Sequence, residues 1–376
     1  MSPVPPYDAA IVGLGPVGAT LAARLAVRGL RVVALDRETA PHTIPRAAHL
    51  DGAALAVLAQ AGVHPEGRPL DGFDLVGRRG RLLLRGRPAE APPPGVPPAL
   101  LIHQPSVERA LRERLATLGV EVRLGHTVAQ VVDEGGAVRV EGAGPDGRSD
   151  LRAAVVVGCD GANSVVREQI GAALVGGRFA QRWLVVDVLV PPGLALPDRL
   201  LQIADPARPT TSVPFAAPRH RWEFRLRPGE TDAAALAAVP AFLAPHVDPD
   251  AVEVERAAVY TFRDVVADRW RSGRVVLAGD AAHQMPPFLG QGLGAGLRDV
   301  AVLAPLVEAV AGGVAPEALD AYEAERRPHV AATVRQAVRL GRLVTLPEPL
   351  ATVRNGLLRA AGRVPALRRR LLNVRG

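Results

Sequence analysis

The sequence contains no lysine and only one cysteine, and aromatic residues make up 3% of its 376 residues. Because Cys159 is the only cysteine, an internal disulfide is excluded, and we expect a reducing, cytoplasmic environment. The net charge of +7 comes entirely from arginine. These arginines are spread along the chain and are not interleaved with aromatic residues, so we expect no nucleic-acid partner.

Long apolar runs are missing as well. No stretch reaches the ~18–20 apolar residues of a membrane span, and the first residues lack the basic region of a signal peptide. We therefore expect no stable membrane insertion. The arginine-rich tail, residues 357–376, would suit a basic amphipathic helix on a membrane surface, but we favour a packed final helix with a solvated face.

What the sequence does contain is a large share of hydrophobic residues, 48%, enough for two domains or one large α/β domain with a smaller part. Its first forty residues predict a strand at 9–12, a helix at 20–28 and a second strand at 32–35. The turn after the first strand carries three glycines with the spacing G-x-G-x-x-G: Gly13, Gly15 and Gly18. Asp36 directly follows the second strand.

This pattern predicts a dinucleotide site. The helix N-terminus would bind a pyrophosphate, and the Asp36 carboxylate would accept both hydroxyls of an adenosine ribose. The motif does not separate NAD from FAD. Asp36 disfavours the 2′-phosphate of NADP, although the neighbouring Arg37 weakens that argument. The alternative is a tight α/β turn followed by an acidic residue by chance.

Two later stretches also combine a buried strand with an acidic residue. In GCDGANSVVR, Asp160 follows a strand predicted at 154–157, and in GDAAHQMPPFLGQG, Asp280 follows a strand predicted at 274–278. The second stretch continues with Pro286-Pro287 and four glycines within seven residues: Gly290, Gly292, Gly294 and Gly296. Such a costly run of glycines indicates that the main chain approaches a ligand closely, although a surface loop is the alternative.

These additional stretches favour a flavin over a nicotinamide cofactor. A nicotinamide dehydrogenase needs only one nucleotide fingerprint, whereas the ribitol chain of a flavin needs a carboxylate, which Asp280 could supply. The helix start at Gly290–Gly296 would direct free N–H groups and a positive dipole at the flavin N1–C2=O edge, which becomes negative on reduction. The sequence therefore predicts FAD.

In this order and spacing, GLGPVG…DRE, GCDGANSVVR and GDAAHQMPPFLGQG resemble the FAD-dependent aromatic hydroxylases of the p-hydroxybenzoate hydroxylase fold, which are single-component flavoprotein monooxygenases. RAAHLDGAALAVLAQAGV, IHQPSVERALRERL, RWLVVDV and HRWEFRLRPGE are most similar to the 3-(3-hydroxyphenyl)propionate hydroxylase branch, which includes tailoring enzymes of aromatic polyketides. The resemblance implies an α/β fold with a Rossmann-like FAD-binding domain, an inserted β-sheet substrate domain and C-terminal helices.

The resemblance also implies the chemistry. NADPH or NADH would bind transiently and reduce FAD, and O2 would be the co-substrate. A phenolic or polycyclic aromatic substrate, for example a natural product, would be hydroxylated through a flavin C4a-hydroperoxide. The longer relatives carry a C-terminal thioredoxin-like domain, and we expect this sequence to represent a short form without it.

Roles for individual residues follow from the same resemblance. The three glycines of the first turn would bind FAD, together with Asp36, Arg37, Arg46, Gln104, Asp160, Asp280, Pro287, Gly290, Gln291 and Gly292. Asp160 belongs to the motif that would touch both FAD and NADPH. The catalytic candidates are Arg46, Pro287 and His49. His49 or His103 could assist phenol deprotonation, but we favour structural roles for both.

The resemblance suggests the following domain boundaries. The FAD-binding domain would comprise residues 1–74, 100–181 and 262–305, the substrate domain residues 75–99 and 182–261, and the C-terminal helical segment residues 306–376. Strands are predicted at 182–190, 209–215 and 221–228. They carry the candidate substrate residues Val185, Val213, Phe215, Trp222 and Phe224. Because side chains alternate between the faces of a strand, the sequence leaves open which of them face the flavin.

The sequence also departs from the family pattern. Gly294 stands where members commonly have asparagine, and Pro305 should kink or end the helix that contains it. Alternative functions are a Baeyer–Villiger or epoxidising flavoprotein of the same fold, or a non-catalytic FAD-binding accessory protein. No metal site is expected, because the sequence around His283 offers no second ligand at a suitable spacing. We expect a monomer or a homodimer.

Overall fold

The computed structural model describes residues 7–41, 46–86, 94–215 and 218–363. The strands are β1 (Tyr7–Val12), β2 (Val32–Asp36), β3 (His49–Asp51), β4 (Gly67–Pro69), β5 (Phe73–Val76), β6 (Leu82–Arg85), β7 (Ala99–Ile102), β8 (Glu121–Leu124), β9 (Thr127–Asp133), β10 (Val138–Gly144), β11 (Gly147–Gly158), β12 (Leu174–Gly176), β13 (Gln181–Leu189), β14 (Leu200–Ile203), β15 (Thr210–Pro214), β16 (Arg219–Arg225), β17 (Glu253–Phe262), β18 (Val265–Ala267), β19 (Arg271–Ser272), β20 (Val275–Leu277) and β21 (His283–Gln284). The α-helices are α1 (Pro16–Val27), α2 (Gly52–Gln60), α3 (Gln104–Thr117), α4 (Val165–Gln169), α5 (Asp232–Ala237), α6 (Val239–Leu243), α7 (Gly292–Ala311), α8 (Asp320–Val344) and α9 (Leu350–Arg363).

The first large sheet has the strand order β19-β20-β11-β1-β2-β8, with β10 and β9 continuing from β11. Strands β20, β11, β1, β2 and β8 are parallel. β1 and β2 are buried almost throughout, as expected for parallel strands that are covered on both faces. α1 packs between this sheet and helices α3 and α7. The carboxyl ends of the parallel strands therefore meet at one edge, where ligands bind in such sheets.

The first predicted helix begins earlier than the sequence analysis placed it. α1 starts at Pro16 instead of residue 20. A proline suits the first position of a helix, because its missing N–H would have no partner there and its φ angle is already helical. The glycine turn is consequently only three residues long, Gly13–Gly15, and leads directly into the helix.

The second large sheet has the order β17-β13-β16-β15-β14-β5-β6 and is antiparallel except for the β14–β5 pair. Helices α5 and α6 cover one of its faces. Leu184, Val186, Trp222 and Phe224 pack there against residues that include Leu243. The opposite face lies toward the segment that leads into β3, because Arg221 of β16 bonds the carbonyl oxygen of Arg46 in that segment.

The division of the chain between the sheets can be compared with the predicted domains. The second sheet takes its strands from residues 73–85 and 181–262, whereas β7, at 99–102, pairs with β3 and β4. The predicted boundary at residue 75 therefore falls inside β5. The domain assignment itself stays a prediction. The predicted basic tail is described only as far as residue 363, and its remainder lies outside the described residues.

Helix α7 continues past Pro305 to Ala311 instead of ending there. Proline removes one hydrogen bond from a helix interior. Leu303, Ala304 and Val307 are completely buried on both sides of it, and this packing holds the helix together across the missing bond. Within the described ranges, none of the helices is both long enough and apolar enough to cross a membrane.

Candidate functional site

The three glycines of the first turn have different surroundings. A Cβ atom at Gly13, which has φ +96°, would lie 2.5 Å from the carbonyl oxygen of Cys159. A Cβ atom at Gly18 would lie 2.0 Å from the carbonyl oxygen of Gly13. At Gly15 a Cβ atom would meet nothing within 4 Å. Two of the glycines therefore allow close packing of the main chain, and Gly15 borders open space at the start of α1.

Asp36 is fixed beside this turn. One of its carboxylate oxygens accepts the N–H of Leu14 at 2.7 Å, and the other accepts the N–H of Glu38 at 2.9 Å. The remaining lone pairs of a carboxylate can still accept ribose hydroxyls. Arg37 is exposed and lies 3.4 Å from the Glu38 carboxylate. The structure thus places the predicted ribose carboxylate next to the predicted pyrophosphate turn.

Asp160 holds the start of α4. It accepts the Ser164 hydroxyl at 2.5 Å and the N–H of Val166 at 3.1 Å. The nearby Arg167 is buried, and its guanidinium donates to the carbonyl oxygen of Ala281 at 3.1 Å. Arg167 therefore joins the second predicted stretch to the third.

The third stretch lies directly against the first. A Cβ atom at Gly296 of α7 would lie 2.6 Å from a methyl group of Val17 in α1 and 3.2 Å from the Cα atom of Gly279. Gly279 in turn has φ +63°. Glycine at these positions allows α1, α7 and the turn after β20 to meet. The sequence analysis attributed all four glycines to a ligand, and for Gly296 packing is the structural reason.

Asp280 lies in a 3₁₀ turn, Gly279–Ala281, directly after β20. Its side chain is exposed to solvent although protein surrounds it, as expected for a residue at the bottom of a recess. Burial raises the pKa of Asp280, and the nearby charges of His283 and Arg46 oppose this rise. The carboxylate is therefore accessible and close to a cationic side chain from the segment before β3.

A buried cluster supports this turn, and sequence reasoning missed it. Asp299 of α7 is completely buried and accepts three hydrogen bonds: from the N–H of Gly279 at 3.1 Å, from His283 at 2.7 Å and from Arg326 at 2.9 Å. Burial alone would raise the pKa of Asp299, but His283 and Arg326 hold it below its usual value. The signal in the sequence was an acidic residue on the apolar face of a helix, which requires a partner.

Gln104 fixes the main chain next to the site. Its side-chain oxygen accepts the N–H groups of Arg46 at 3.0 Å and Ala47 at 2.6 Å, and its nitrogen donates to Glu108 at 2.7 Å. The carbonyl oxygen of Arg46 accepts a bond from Arg221 at 2.8 Å. Gln104 thus positions the segment that carries Arg46, and its contact with FAD stays a prediction.

The turn before α7 joins His49 to the second sheet. A Cβ atom at Gly290, which has φ +62°, would overlap the His49 ring. Burial lowers the pKa of His49, so that its ring is neutral near pH 7. Next to Pro287, the Phe288 ring packs edge-on against Trp183 of β13 with 5.5 Å between centroids.

At the first turn of α7, Gln291 accepts a bond from Arg298 at 3.2 Å. Arg298 also donates to Asp51 at 2.5 Å, and Asp51 caps α2. The side chains at this helix start are therefore held in place by the end of β3. His103 stands at the start of α3 and bonds Ser106 at 2.9 Å.

The predicted substrate residues divide between the two faces of the second sheet. Trp222 and Phe224 lie on the face covered by α5 and α6, so the structure corrects their assignment to the substrate cavity. Val185 and Val213 lie on the opposite face, since their cross-strand partners are Glu223 and Arg221. Phe215 lies next to Arg221, whose guanidinium is 4.9 Å from the ring centroid. Alternation of side chains explains the division, because 222 and 224 have the opposite parity to 221 and 223.

The described residues fit an extended FAD. A Cβ atom at Gly15 or Gly292 would meet nothing within 4 Å, so space lies open before both helix starts. Neither α1 nor α7 has a side-chain cap or an acidic residue in its first turn. Their N–H groups are therefore available to a pyrophosphate and to the anionic edge of a flavin. No group of three potential metal ligands occurs among the described residues.

Comparison with known proteins gives the same assignment. The family profile described as an FAD binding domain matches residues 6–337. A probable NADH-specific resorcinol 4-hydroxylase from Rhodococcus jostii (strain RHA1) is 36% identical over 364 residues, which cover 94% of this chain and 69% of that protein. A 3-(3-hydroxy-phenyl)propionate/3-hydroxycinnamic acid hydroxylase from Mycobacterium sp. (strain JLS) is 38% identical over 391 residues, which cover 98% of this chain and 66% of that protein. The chain thus spans about two thirds of the length of these relatives.

Solved structures extend the match. The p-nitrophenol 4-monooxygenase from Pseudomonas putida DLL-E4 has a TM-score of 0.88 at 28% identity, with 98% of both chains covered. The anhydrotetracycline hydroxylase from Streptomyces rimosus has a TM-score of 0.79 at 28% identity, with 97% of this chain and 75% of that chain covered. These matches and the converging glycine turns confirm the prediction from the motifs. The chain belongs to the FAD-dependent aromatic hydroxylases and has the p-hydroxybenzoate hydroxylase fold.

Proposed function

We propose that this protein hydroxylates a phenolic or polycyclic aromatic substrate, with FAD as its cofactor, NADH or NADPH as reductant and O2 as co-substrate. The observation that carries the proposal is the convergence of the three stretches. Gly13 contacts Cys159, Arg167 bonds Ala281, and Gly296 contacts Val17. Three stretches that are far apart in the sequence thereby meet, so that one extended dinucleotide would contact all of them.

The roles of the residues follow from their positions on this edge. The N–H groups at the start of α1 would bind the pyrophosphate, and Asp36 the adenosine ribose. Asp280 would bind the ribitol hydroxyls, and the start of α7 would stabilise negative charge on the flavin ring. FAD, when bound, supplies the redox and oxygen-transfer chemistry. The protein's own residues must bind the substrate, orient it and keep water away.

Three groups of residues on this chain suit the task of binding the substrate, orienting it and keeping water away. The contact between Phe288 and Trp183 joins the turn before α7 to the second sheet, and these rings would border the substrate next to the flavin. Val185 and Val213 provide an aliphatic wall. His49 is neutral, because burial lowers its pKa, and it can accept a proton from a phenol. This role for His49 goes beyond the structural one that we favoured from the sequence.

The relatives support a phenolic substrate and NADH as the first reductant to test. One is named for resorcinol and NADH, and another for hydroxyphenylpropionate. The test is to purify the protein, measure its flavin absorbance, and follow NADH and NADPH oxidation with and without resorcinol. We expect a yellow protein whose NADH oxidation rises with resorcinol and whose product gains one oxygen atom on the ring. A protein that never takes up FAD, or whose oxidation of neither NADH nor NADPH is stimulated by a phenol, would refute the proposal.

A further inference from the structure

The face of the second sheet that is not covered by α5 and α6, called its inner face here, contacts the segments around the candidate site at two places. At one place, Trp183 of β13 packs against Phe288. At the other, Arg221 of β16 donates to the carbonyl oxygen of Arg46 at 2.8 Å. Glu223 lies on β16 between Arg221 and Arg225, and Arg225 is the cross-strand partner of Trp183. The Glu223 side chain therefore faces the space between the two contacts.

Glu223 is part of a polar row across this face. Its cross-strand partner on one side is Val185, and its partner on the other side is Thr211. The Thr211 hydroxyl donates to the side-chain oxygen of Gln202 at 3.2 Å. Thr211 therefore lies beside Glu223 with its hydroxyl proton already engaged, whereas Val185 makes the other side of Glu223 apolar.

Two arginines on this face, Arg221 and Arg256, already pair with another carboxylate, Asp187. Arg221 makes two bonds to Asp187, at 2.6 and 2.9 Å, and Arg256 lies 3.4 Å from the same carboxylate. Glu223, in contrast, forms no ion pair with any arginine in the described part of the chain. A carboxylate on a cavity wall that lacks a cationic partner needs a hydrogen-bond donor.

Glu223 is similar to Asp280 and His49 in its exposure. Each of the three is closely surrounded by protein but retains some solvent-accessible surface. Burial raises the pKa of Glu223, and Arg221 opposes this rise. Because burial removes part of its hydration, the ionised Glu223 carboxylate gains more from a hydrogen-bond donor than an exposed carboxylate does.

We propose that Glu223, next to Thr211 on the inner face of the second sheet, accepts a hydrogen bond from a ring hydroxyl of the substrate and selects hydroxylated aromatics that carry no carboxylate. The inference rests on the proposed function, because the substrate must lie between the sheet and the flavin site. Hydrogen bonds from a hydroxyl to a carboxylate are short and strong. A second carboxylate at this place is repelled, since like charges in a partly desolvated site destabilise each other.

The experiment compares Glu223→Gln with the parent protein, both loaded with FAD. The probes are resorcinol and 3-(3-hydroxyphenyl)propionate, and the readout is the Kd of each, obtained from the change that it causes in the flavin absorption spectrum. We expect the parent to bind resorcinol more tightly. Glu223→Gln should weaken resorcinol binding about tenfold or more, as for loss of a hydrogen bond to a charged group. It should leave binding of the propionate unchanged or make it tighter.

Two further variants make the result specific. Thr211→Val removes the polar neighbour across the strand pair from Glu223 and should weaken resorcinol binding in the same direction, by a smaller factor. Glu255→Gln alters an exposed carboxylate of β17 that pairs with Arg219 at the start of β16, and it should bind both probes like the parent.

An FAD-loaded Glu223→Gln protein with the parent's Kd for resorcinol would overturn the inference, and so would a parent that prefers the propionate. Either result would leave the proposed function intact. A parent that holds FAD but binds neither probe and shows no phenol-stimulated NADH oxidation would refute the proposed function, and the inference with it.

Discussion

At the scale of single residues, two aspartates of the third stretch have opposite environments. Asp280 is exposed in a recess, and Asp299 is completely buried beneath the same turn. The exposed carboxylate is available to a ligand. The buried carboxylate accepts three hydrogen bonds from the protein, one of which comes from Gly279, the residue before Asp280. One aspartate therefore suits binding, and the other holds the binding turn in place.

The exposed aspartate gives the first prediction. Asp280→Ala should weaken FAD binding by about 10- to 100-fold, because it removes a charged acceptor from the ribitol hydroxyls. Fluorescence titration of the apo-protein with FAD measures this change. Asp146→Ala, in the exposed turn between β10 and β11, serves as a control and should bind FAD like the parent. Unchanged FAD affinity in Asp280→Ala would show that the ribitol assignment is wrong.

The buried aspartate gives a prediction about stability. Asp299→Asn should lower the free energy of unfolding by about 3–5 kcal/mol, since it leaves the buried Arg326 without its counter-charge. Urea denaturation measures this loss. Glu308→Gln on the same helix breaks only an exposed pair with Arg28 and should cost at most about 1 kcal/mol. Equal stability losses in the two variants would contradict the role of Asp299.

The same residue also predicts a pH dependence. His283 and Arg326 hold the pKa of Asp299 below its usual value, so the ionised form is favoured in the folded state. Its contribution to stability is therefore complete above the unfolded pKa, about 3.9, and is lost as the pH falls through the lower folded pKa. The free energy of unfolding of the parent should fall more steeply below pH ~4 than that of Asp299→Asn. Parallel pH curves for the two proteins would contradict this sign.

At the scale of secondary structure elements, the candidate site depends on where the helices begin and on which face of a strand each side chain occupies. The strand–turn–helix–strand pattern at the N-terminus could be predicted, because buried parallel strands and glycine turns leave a local signal in the sequence. The inner face of β16 could not, because residues 221–225 alternate between polar and apolar side chains, and this alternation does not tell which of the two faces lies toward the flavin site. The cluster around Asp299 was missed because Arg326 lies 27 positions away, on another helix.

Two glycines of one helix give a matched prediction. Gly296→Ala should lower the free energy of unfolding by about 1–3 kcal/mol, because its Cβ atom would lie 2.6 Å from Val17. Gly292→Ala meets nothing within 4 Å and should leave the apo-protein as stable as the parent. It should weaken FAD binding instead, since the added methyl group enters the space before α7. Thermal unfolding of the apo-proteins and titration with FAD separate the two effects, and identical behaviour of the variants would refute the distinction.

At the scale of the whole molecule, two layers face each other across the proposed reaction space. The parallel sheet supplies the edge where three distant stretches meet, and the antiparallel sheet supplies a wall with Val185, Val213 and Glu223. The motifs predicted the edge because its glycines and acidic residues leave a pattern in the sequence. The wall depends on which face of a sheet is covered, and the packing of α5 and α6 determines that. The proposed substrate selection therefore depends on how α5 and α6 pack on the second sheet, which the motifs alone do not show.

The measurement that tests this account most directly is a crystal structure of the protein with FAD. The account predicts one FAD per chain, with its pyrophosphate at the start of α1, its ribitol next to Asp280 and its ring beside Pro287–Gly292. FAD in another place, or another nucleotide along this edge, would contradict it.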